Sequence, residues 1–189
     1  MSLPLVISST LTLYENSNLS GRRLVRSDND STLVDDGFDN MVSAVRVTGE
    51  CQWILYEHID YGVLDYGSGA SSVIGPGDYL NATFGIPDNA LSSLRCLPEP
   101  CVTAIALFQH NYYRGNMQIL SSPSEHLGTL DNTVTSFIVT RGVWQLFSGP
   151  NYTGSSVTRG VGHYPTSNNL SPVRNDDLSS VGLGKINVL

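Results

Sequence analysis

Four short blocks of acidic, amide and hydroxyl residues are the part of this chain best suited to chemistry. Each block opens with two Asp or Asn residues, has Ser or Thr in its fifth place and ends on Ser or Ala. The blocks cover residues 39–44, 88–93, 131–136 and 175–180. Carboxylate, amide, hydroxyl and carbonyl oxygens suit a hard cation such as Ca²⁺ and suit zinc or copper poorly. The blocks therefore predict calcium sites.

An aromatic signature precedes each block. An aromatic anchor is followed five positions later by another large residue and, in three of the four copies, by a glycine seven positions later. The anchors are Tyr14, Tyr56, Phe108 and Phe147. The second copy carries Gly62-Val63 instead of that glycine, and Trp53 and Trp144 stand three residues before the second and fourth anchors. The chain is therefore four repeats arranged as two similar pairs, and we expect the aromatic residues to be structural.

The aromatic signature followed by the Asx-Asx-x-x-Ser/Thr-Ser block resembles the βγ-crystallin superfamily, in particular its calcium-binding two-domain members of invertebrate and microbial type. The resemblance covers about residues 10–184 and is carried by four paired copies in alternating order. It implies an all-β fold of two β-sandwich domains, each built from two interlocked four-stranded Greek key motifs. It also implies that each calcium ion is shared between the two motifs of a domain.

Repeats and prolines divide the chain into domains. We predict an N-terminal arm (1–9), a first domain (10–97, motifs 10–49 and 50–97), a linker (98–102) and a second domain (103–189, motifs 103–142 and 143–185). Pro98 and Pro100 mark the linker, because proline donates no ladder hydrogen bond and restricts the residue before it. Alternating apolar stretches such as 135–139, with no sustained helical period, agree with an all-β fold.

Each motif offers four candidate calcium ligands. The first residue of a block can supply a side-chain oxygen, the third a backbone carbonyl and the fifth a hydroxyl. The resemblance adds the carbonyl of the residue after the aromatic anchor. The candidate ligands are Glu15, Asp39, Met41, Ser43, Glu57, Asp88, Ala90, Ser92, Gln109, Asp131, Thr133, Thr135, Ser148, Asn175, Asp177 and Ser179. In the family the sixth-position serine pins the loop, so Ala44 predicts that the first motif holds the weakest site.

Three functions fit these residues. With one or two carboxylates per site, we expect dissociation constants of roughly 10⁻⁵ to 10⁻³ M for Ca²⁺, which suits a stabilising ion better than a sensor. The leading hypothesis is a non-enzymatic calcium-binding protein. Asp or Asn followed by Ser or Thr also forms turns without metal, so a calcium-independent structural protein of the lens-crystallin type is the first alternative. A binding or inhibitor module for a protein or glycan partner is the second.

Composition and missing motifs exclude other classes. The net charge of −7 and the lack of a basic stripe argue against nucleic-acid binding, and no segment is long and apolar enough to span a membrane. No catalytic motif is present, so we predict that the protein is not an enzyme. The three cysteines lack metal-ligand spacing and no signal peptide is apparent, so we expect a cytoplasmic protein. Pairing of the domains within one chain and homodimerisation both stay open.

Overall fold

The computed structural model describes residues 9–63, 68–97 and 104–184. Contacts divide the chain into two compact domains, Met1–Leu97 and Pro98–Leu189. The predicted linker at 98–102, and the predicted arm apart from Ser9, lie outside the described residues. In the described part of the chain, regular structure consists of antiparallel strands and short 3₁₀ turns, so the predicted all-β fold is confirmed.

The first domain contains two antiparallel sheets. Its strands are β1 (Thr10–Asn16), β2 (Ser20–Arg26), β3 (Ala44–Thr48), β4 (Trp53–Tyr56), β5 (Ser71–Ile74), β6 (Gly77–Tyr79) and β7 (Ser93–Cys96). The larger sheet has the order β2-β1-β3-β6 and the smaller sheet has the order β5-β4-β7. A 3₁₀ turn at Ile59–Gly62 follows β4.

The second domain repeats this plan. Its strands are β8 (Ala104–Phe108), β9 (Met117–Leu120), β10 (Ser136–Arg141), β11 (Trp144–Gly149), β12 (Thr153–Arg159), β13 (Gly162–Tyr164) and β14 (Ser180–Leu183). They form the sheets β9-β8-β10-β13 and β12-β11-β14. Short 3₁₀ turns lie at Asn111–Tyr113, Gly128–Leu130 and Ser167–Leu170.

In each domain, each motif contributes one segment to the sheet of the other motif. In the first domain β6, from the second motif, pairs with β3 of the first motif, and Asp30 of the first motif forms a bridge with Leu94 of β7. In the second domain β13 pairs with β10, and Ser124 forms a bridge with Val181 of β14. Because each sheet contains a segment of the other motif, the motifs interlock as the resemblance implies.

Apolar residues between the two sheets of each domain form its core. Side chains alternate along the strands, so every second residue faces the opposite sheet. Trp53 and Trp144 are completely buried in the two cores, which confirms the prediction that they are structural. A tyrosine in each domain closes a corner: the hydroxyl of Tyr79 donates to the Gly75 carbonyl, and that of Tyr164 to the Gly160 carbonyl, both at 3.0 Å.

Candidate metal centre

The four blocks fold into four equivalent turns. The second residue of each block has a left-handed backbone with φ of 55° or 56°. Asn and Asp adopt this conformation more readily than other residues with a Cβ. These second residues are Asn40, Asn89, Asn132 and Asp176. The second Asx residue of each block therefore has a backbone role in addition to any role as a ligand.

The fifth residue of each block is tied to the aromatic anchor of the same motif. Its backbone N–H donates to the anchor's carbonyl in all four motifs, with N···O distances of 2.9 to 3.0 Å. The pairs are Ser43 with Tyr14, Ser92 with Tyr56, Thr135 with Phe108 and Ser179 with Phe147. The fifth residues are only 3 to 8% exposed. The turn therefore holds each hydroxyl in a largely dry position next to the hairpin.

The two blocks of a domain face each other. In the first domain Asn40 N–H donates to the Leu91 carbonyl and Asn89 N–H donates to the Val42 carbonyl, both at 3.2 Å. In the second domain Asn132 N–H donates to the carbonyl of Leu178 at 3.0 Å. Each turn is therefore braced by the backbone of the other motif.

Side-chain oxygens from different motifs also meet between the facing blocks. The Ser43 hydroxyl donates to Asn89 Oδ1 at 3.2 Å, and the Ser179 hydroxyl donates to Asn132 Oδ1 at 3.1 Å. Sequence reasoning proposed side-chain ligands at the first and fifth places, and these contacts add the second-place oxygen as a candidate. The signal for it was in the sequence, since Asn or Asp recurs there in all four copies.

First-position side chains hydrogen-bond within their own blocks. Asp39 Oδ2 accepts from the Asn40 side chain at 2.8 Å, Asp131 Oδ2 accepts from the Asn132 side chain at 3.2 Å, and Asn175 donates to Asp176 at 2.6 Å. Asp88 is exposed, as are Asp131 and Asn175, whereas Asp39 is half-buried. The four first-position residues therefore have different surroundings.

Asp39 Oδ1 is buried and receives no hydrogen bond from the described part of the chain. A buried carboxylate oxygen without a partner costs free energy, because it has lost its water. A bound cation removes that cost. This oxygen is the best local indication that the first block fits a metal ion.

Third-position residues offer carbonyl oxygens. Met41, Ala90, Thr133 and Asp177 are all half-buried. Among the hydrogen bonds of the described residues, none ends on these four carbonyls. Carbonyls without an internal donor are suited to a hard cation or to water.

The residue after each aromatic anchor closes the folded hairpin with its side chain. An oxygen of that side chain accepts a backbone N–H at 2.6 to 3.4 Å in each motif. The acceptor and donor pairs are Glu15 with Arg22, Glu57 with Ala70, Gln109 with Asn116 and Ser148 with Ser155. The predicted ligand is the carbonyl of this residue, and in the third motif the Thr135 hydroxyl donates to the Gln109 carbonyl at 3.0 Å. That contact brings two candidate ligands together.

The second hairpin contains an insertion. In the other three motifs a left-handed glycine stands directly before the residue whose N–H closes the hairpin, at Gly21, Gly115 and Gly154. In the second motif that glycine is Gly69, with φ of 76°, and it precedes Ala70. The second copy has no glycine in the seventh place, but its hairpin still contains a left-handed glycine. The glycine is displaced along the chain and has kept its place in the hairpin.

Sixth-position serines pin three of the four hairpins. Each hydroxyl donates to a hairpin carbonyl at 2.6 to 2.7 Å and accepts the N–H of the second hairpin aromatic at 3.0 to 3.1 Å. The serines are Ser93, Ser136 and Ser180, and the aromatics are Tyr61, Tyr113 and Tyr152. This confirms the pinning role that the resemblance implies. The first motif has Ala44 in this place.

Electrostatics also differ at the first block. The Arg22 guanidinium lies 3.9 Å from Met41 Sδ, donates to the Gly37 carbonyl at 3.3 Å and sits 5.1 Å from the centre of the Phe38 ring. A fixed positive charge next to a cation site weakens the site. This charge adds to the reason, already given by Ala44, to expect the weakest binding in the first motif.

The donor set as a whole fits calcium better than a transition metal. Among the described residues, no three His, Cys, Asp or Glu side chains cluster so that they could hold a metal. The oxygens that do converge belong to hydroxyls, amides and carbonyls, with a carboxylate nearby. Ca²⁺ accepts such neutral oxygens, and it binds more weakly as the number of charged ligands falls.

Comparison with known proteins gives relatives along most of the chain. The family model described as Beta/Gamma crystallin matches residues 10–97 and 104–182. Gamma-crystallin E of Mus musculus is 28% identical over 158 residues, which cover 82% of this chain and 85% of that protein. The epidermal differentiation-specific protein of Cynops pyrrhogaster is 26% identical over 140 residues, and the match spans 73% of this chain but only 39% of that protein.

A solved structure has the same fold. Geodin, a beta-gamma crystallin from Geodia cydonium, superposes with a TM-score of 0.77 at 24% identity, covering 94% of this chain and 99% of geodin. No helix among the described residues is both long enough and apolar enough to cross a membrane. The family model and the interlocked motifs agree, and this chain belongs to the Beta/Gamma crystallin family.

Proposed function

We propose that this protein is not an enzyme and that it binds Ca²⁺ at the facing blocks of each domain, where the ion bridges the two motifs. The observation that carries the proposal is the approach of side-chain oxygens from different motifs, Ser43 to Asn89 and Ser179 to Asn132, to within 3.1 to 3.2 Å. An ion held by both motifs binds the folded domain and not the unfolded chain. Binding therefore stabilises the domain.

The ligands come from five places in each motif. The second-position amide or carboxylate and the fifth-position hydroxyl supply side-chain oxygens, and the third-position residue supplies a carbonyl. The hairpin residue next to the anchor supplies a further carbonyl, and the first-position residue supplies a carboxylate or amide. Because few of these oxygens are charged, we expect dissociation constants of roughly 10⁻⁵ to 10⁻³ M.

The expected stabilisation is large enough to measure. A free calcium concentration one hundred times the dissociation constant adds about 2.7 kcal/mol to the free energy of unfolding for one site. For a domain of this size, that corresponds to a rise of roughly 10 to 20 °C in melting temperature.

Left-handed asparagines provide matched variants for the test. Asn89→Gly and Asn132→Gly remove a second-position oxygen, and glycine accepts the left-handed φ of 55° or 56° without strain. Asn81→Gly and Asn151→Gly are the controls, because these asparagines are also left-handed, with φ of 51° and 53°, but lie outside the blocks. We expect the calcium-induced shift in melting temperature to fall by at least half in the first pair and to persist in the controls.

The alternative function is a structural protein that does not need calcium. It is supported by the hydrogen bonds that already satisfy the Ser43 and Ser179 hydroxyls, and by the similarity to gamma-crystallin E. Melting temperatures in chelator and in millimolar Ca²⁺ decide between the two. If each domain melts at the same temperature in chelator as in millimolar Ca²⁺, the calcium proposal is rejected and the structural one is favoured.

A further inference from the structure

The outer face of the sheet β12-β11-β14 carries an open depression of about 360 Å³. Pro123, Gln145, Phe147, Tyr152, Gly182 and Leu183 line it. Gln145 and Phe147 alternate with the buried Trp144 and Leu146 along β11, so they point away from the core. Tyr152 is 37% exposed and Leu183 is 54% exposed. The depression is therefore a mostly apolar surface site within the second domain.

The first domain contains the same position, because the two domains are repeats. On β4 and β7, Arg95 lies directly opposite Ile54. On β11 and β14, Gly182 lies directly opposite Gln145. The residue that corresponds to Arg95 in the second domain is therefore Gly182.

A pair of aromatic rings with the same geometry lies at this position in both domains. In the first domain the rings of Tyr56 and Tyr61 meet edge to face, with centroids 5.8 Å apart and an angle of 65°. In the second domain Phe147 and Tyr152 meet with centroids 5.8 Å apart and an angle of 64°. The two domains thus present matching ring pairs and differ in what lies on them.

An arginine side chain occupies the position in the first domain. The Arg95 guanidinium carbon lies 3.7 Å from the centre of the Tyr61 ring and 5.6 Å from that of Tyr56, and Arg95 is only 5% exposed. In the second domain, the three atoms nearest to a Cβ added at Gly182 would be ring carbons of Phe147 and Tyr152, at 3.6 to 3.8 Å. Among the described residues, the second domain therefore has the matching ring pair without the guanidinium that covers it in the first.

We propose that the depression of the second domain binds the guanidinium of an arginine side chain from another polypeptide, stacked on the Tyr152 ring. A guanidinium is flat and weakly hydrated and stacks on aromatic faces, and the apolar walls suit the methylene stem of the side chain. The net charge of −7 favours a basic partner. An exposed acidic residue, Glu125, also lies near the lining of the depression. It is two residues from Pro123, and its backbone carbonyl accepts the N–H of Asn151 at 3.0 Å.

An NMR titration with Nα-acetyl-arginine amide tests the proposal. We expect saturable shifts of the Gly182 and Leu183 amides and of the Tyr152 ring protons, with a dissociation constant of about 1 mM or weaker for so small a ligand. The matching citrulline compound has nearly the same shape without the charge, and we expect at least a tenfold weaker response. Equal binding of the citrulline compound, or no saturable shift with the arginine compound, would overturn the proposal.

Two substitutions, each giving one domain the residue found at the matching position of the other, provide a second test. Gly182→Arg supplies an internal guanidinium and is expected to abolish binding, whereas Arg95→Gly is expected to create a second site with shifts at Tyr61. Tyr152→Leu keeps an apolar wall without the stacking face, so it tests the same point if Gly182→Arg does not fold. Retained binding in a folded Gly182→Arg or Tyr152→Leu protein contradicts the proposal. Self-association that the arginine compound reverses would support it and identify a second copy as the partner.

Discussion

Replacing Ser136 by alanine removes the pin of the third hairpin. The Ser136 hydroxyl donates to the His110 carbonyl at 2.6 Å and accepts the Tyr113 N–H at 3.0 Å. Ser136 is completely buried and Tyr113 is 6% exposed, so water has little access to the Tyr113 N–H, and His110 is half-buried. Both groups lose this partner in the Ser136→Ala protein.

The magnitude follows from the cost of the two lost bonds. A buried polar group left without its partner costs about 1 to 3 kcal/mol, so we expect the second domain to lose roughly 2 to 4 kcal/mol of its free energy of unfolding. That corresponds to a fall of roughly 10 to 25 °C in its melting temperature. Urea unfolding followed by Trp144 fluorescence gives the stability, and hydrogen exchange of the Tyr113 amide reports on the hairpin itself.

Ser122→Ala is the control in the same domain, because Ser122 is exposed. We expect it to change stability by less than about 0.5 kcal/mol. Unchanged stability of Ser136→Ala, or unchanged protection of the Tyr113 amide, would refute the pinning argument. In the first motif, Ala44→Ser makes the reverse change, and the same reasoning predicts a gain of about 1 kcal/mol.

Three further predictions concern side chains of the second domain. Burial raises the pKa of Tyr113 to about 12, so the unfolded chain loses the phenolic proton at lower pH than the folded protein does. The free energy of unfolding should therefore fall between about pH 10 and about pH 12. A Tyr113→Phe protein should lack this part of the pH dependence. Burial lowers the pKa of His163, so stability should be lost as the pH falls below about 6.5; an equal slope in His163→Gln would contradict this. Tyr164→Phe removes the 3.0 Å hydrogen bond to Gly160 and should cost about 1 kcal/mol in urea unfolding, with no change in calcium response.

Spacing was sufficient to find the four repeats, and the resemblance to the βγ-crystallin superfamily implied how each repeat folds. The aromatic anchors and the Ser or Thr hydroxyls recur at fixed positions because each makes the same local contact in each motif, as in the bond from Ser43 N–H to the Tyr14 carbonyl. The tryptophans are buried in the core, as their place before the second and fourth anchors indicated. Such local, repeated constraints leave a visible pattern in one sequence.

Non-local and displaced features left a weaker pattern. Gly69 serves the second hairpin although extra residues separate it from its anchor, because the hairpin needs a left-handed residue before Ala70 and not a fixed loop length. The contact between Ser43 and Asn89 joins residues far apart in the chain, so spacing alone could not pair them. The difference between Arg95 and Gly182 becomes meaningful only when the strand register aligns the two domains.

Calorimetric titration of chelator-stripped protein with Ca²⁺, with the double variant Asn89→Gly, Asn132→Gly alongside, tests the central claim most directly. We predict saturable binding with dissociation constants of roughly 10⁻⁵ to 10⁻³ M in the parent protein, and at least tenfold weaker binding at the two altered sites of the variant. A titration with no heat and no shift in melting temperature up to millimolar Ca²⁺ would contradict the claim. The blocks would then be turns that brace the two motifs without a metal.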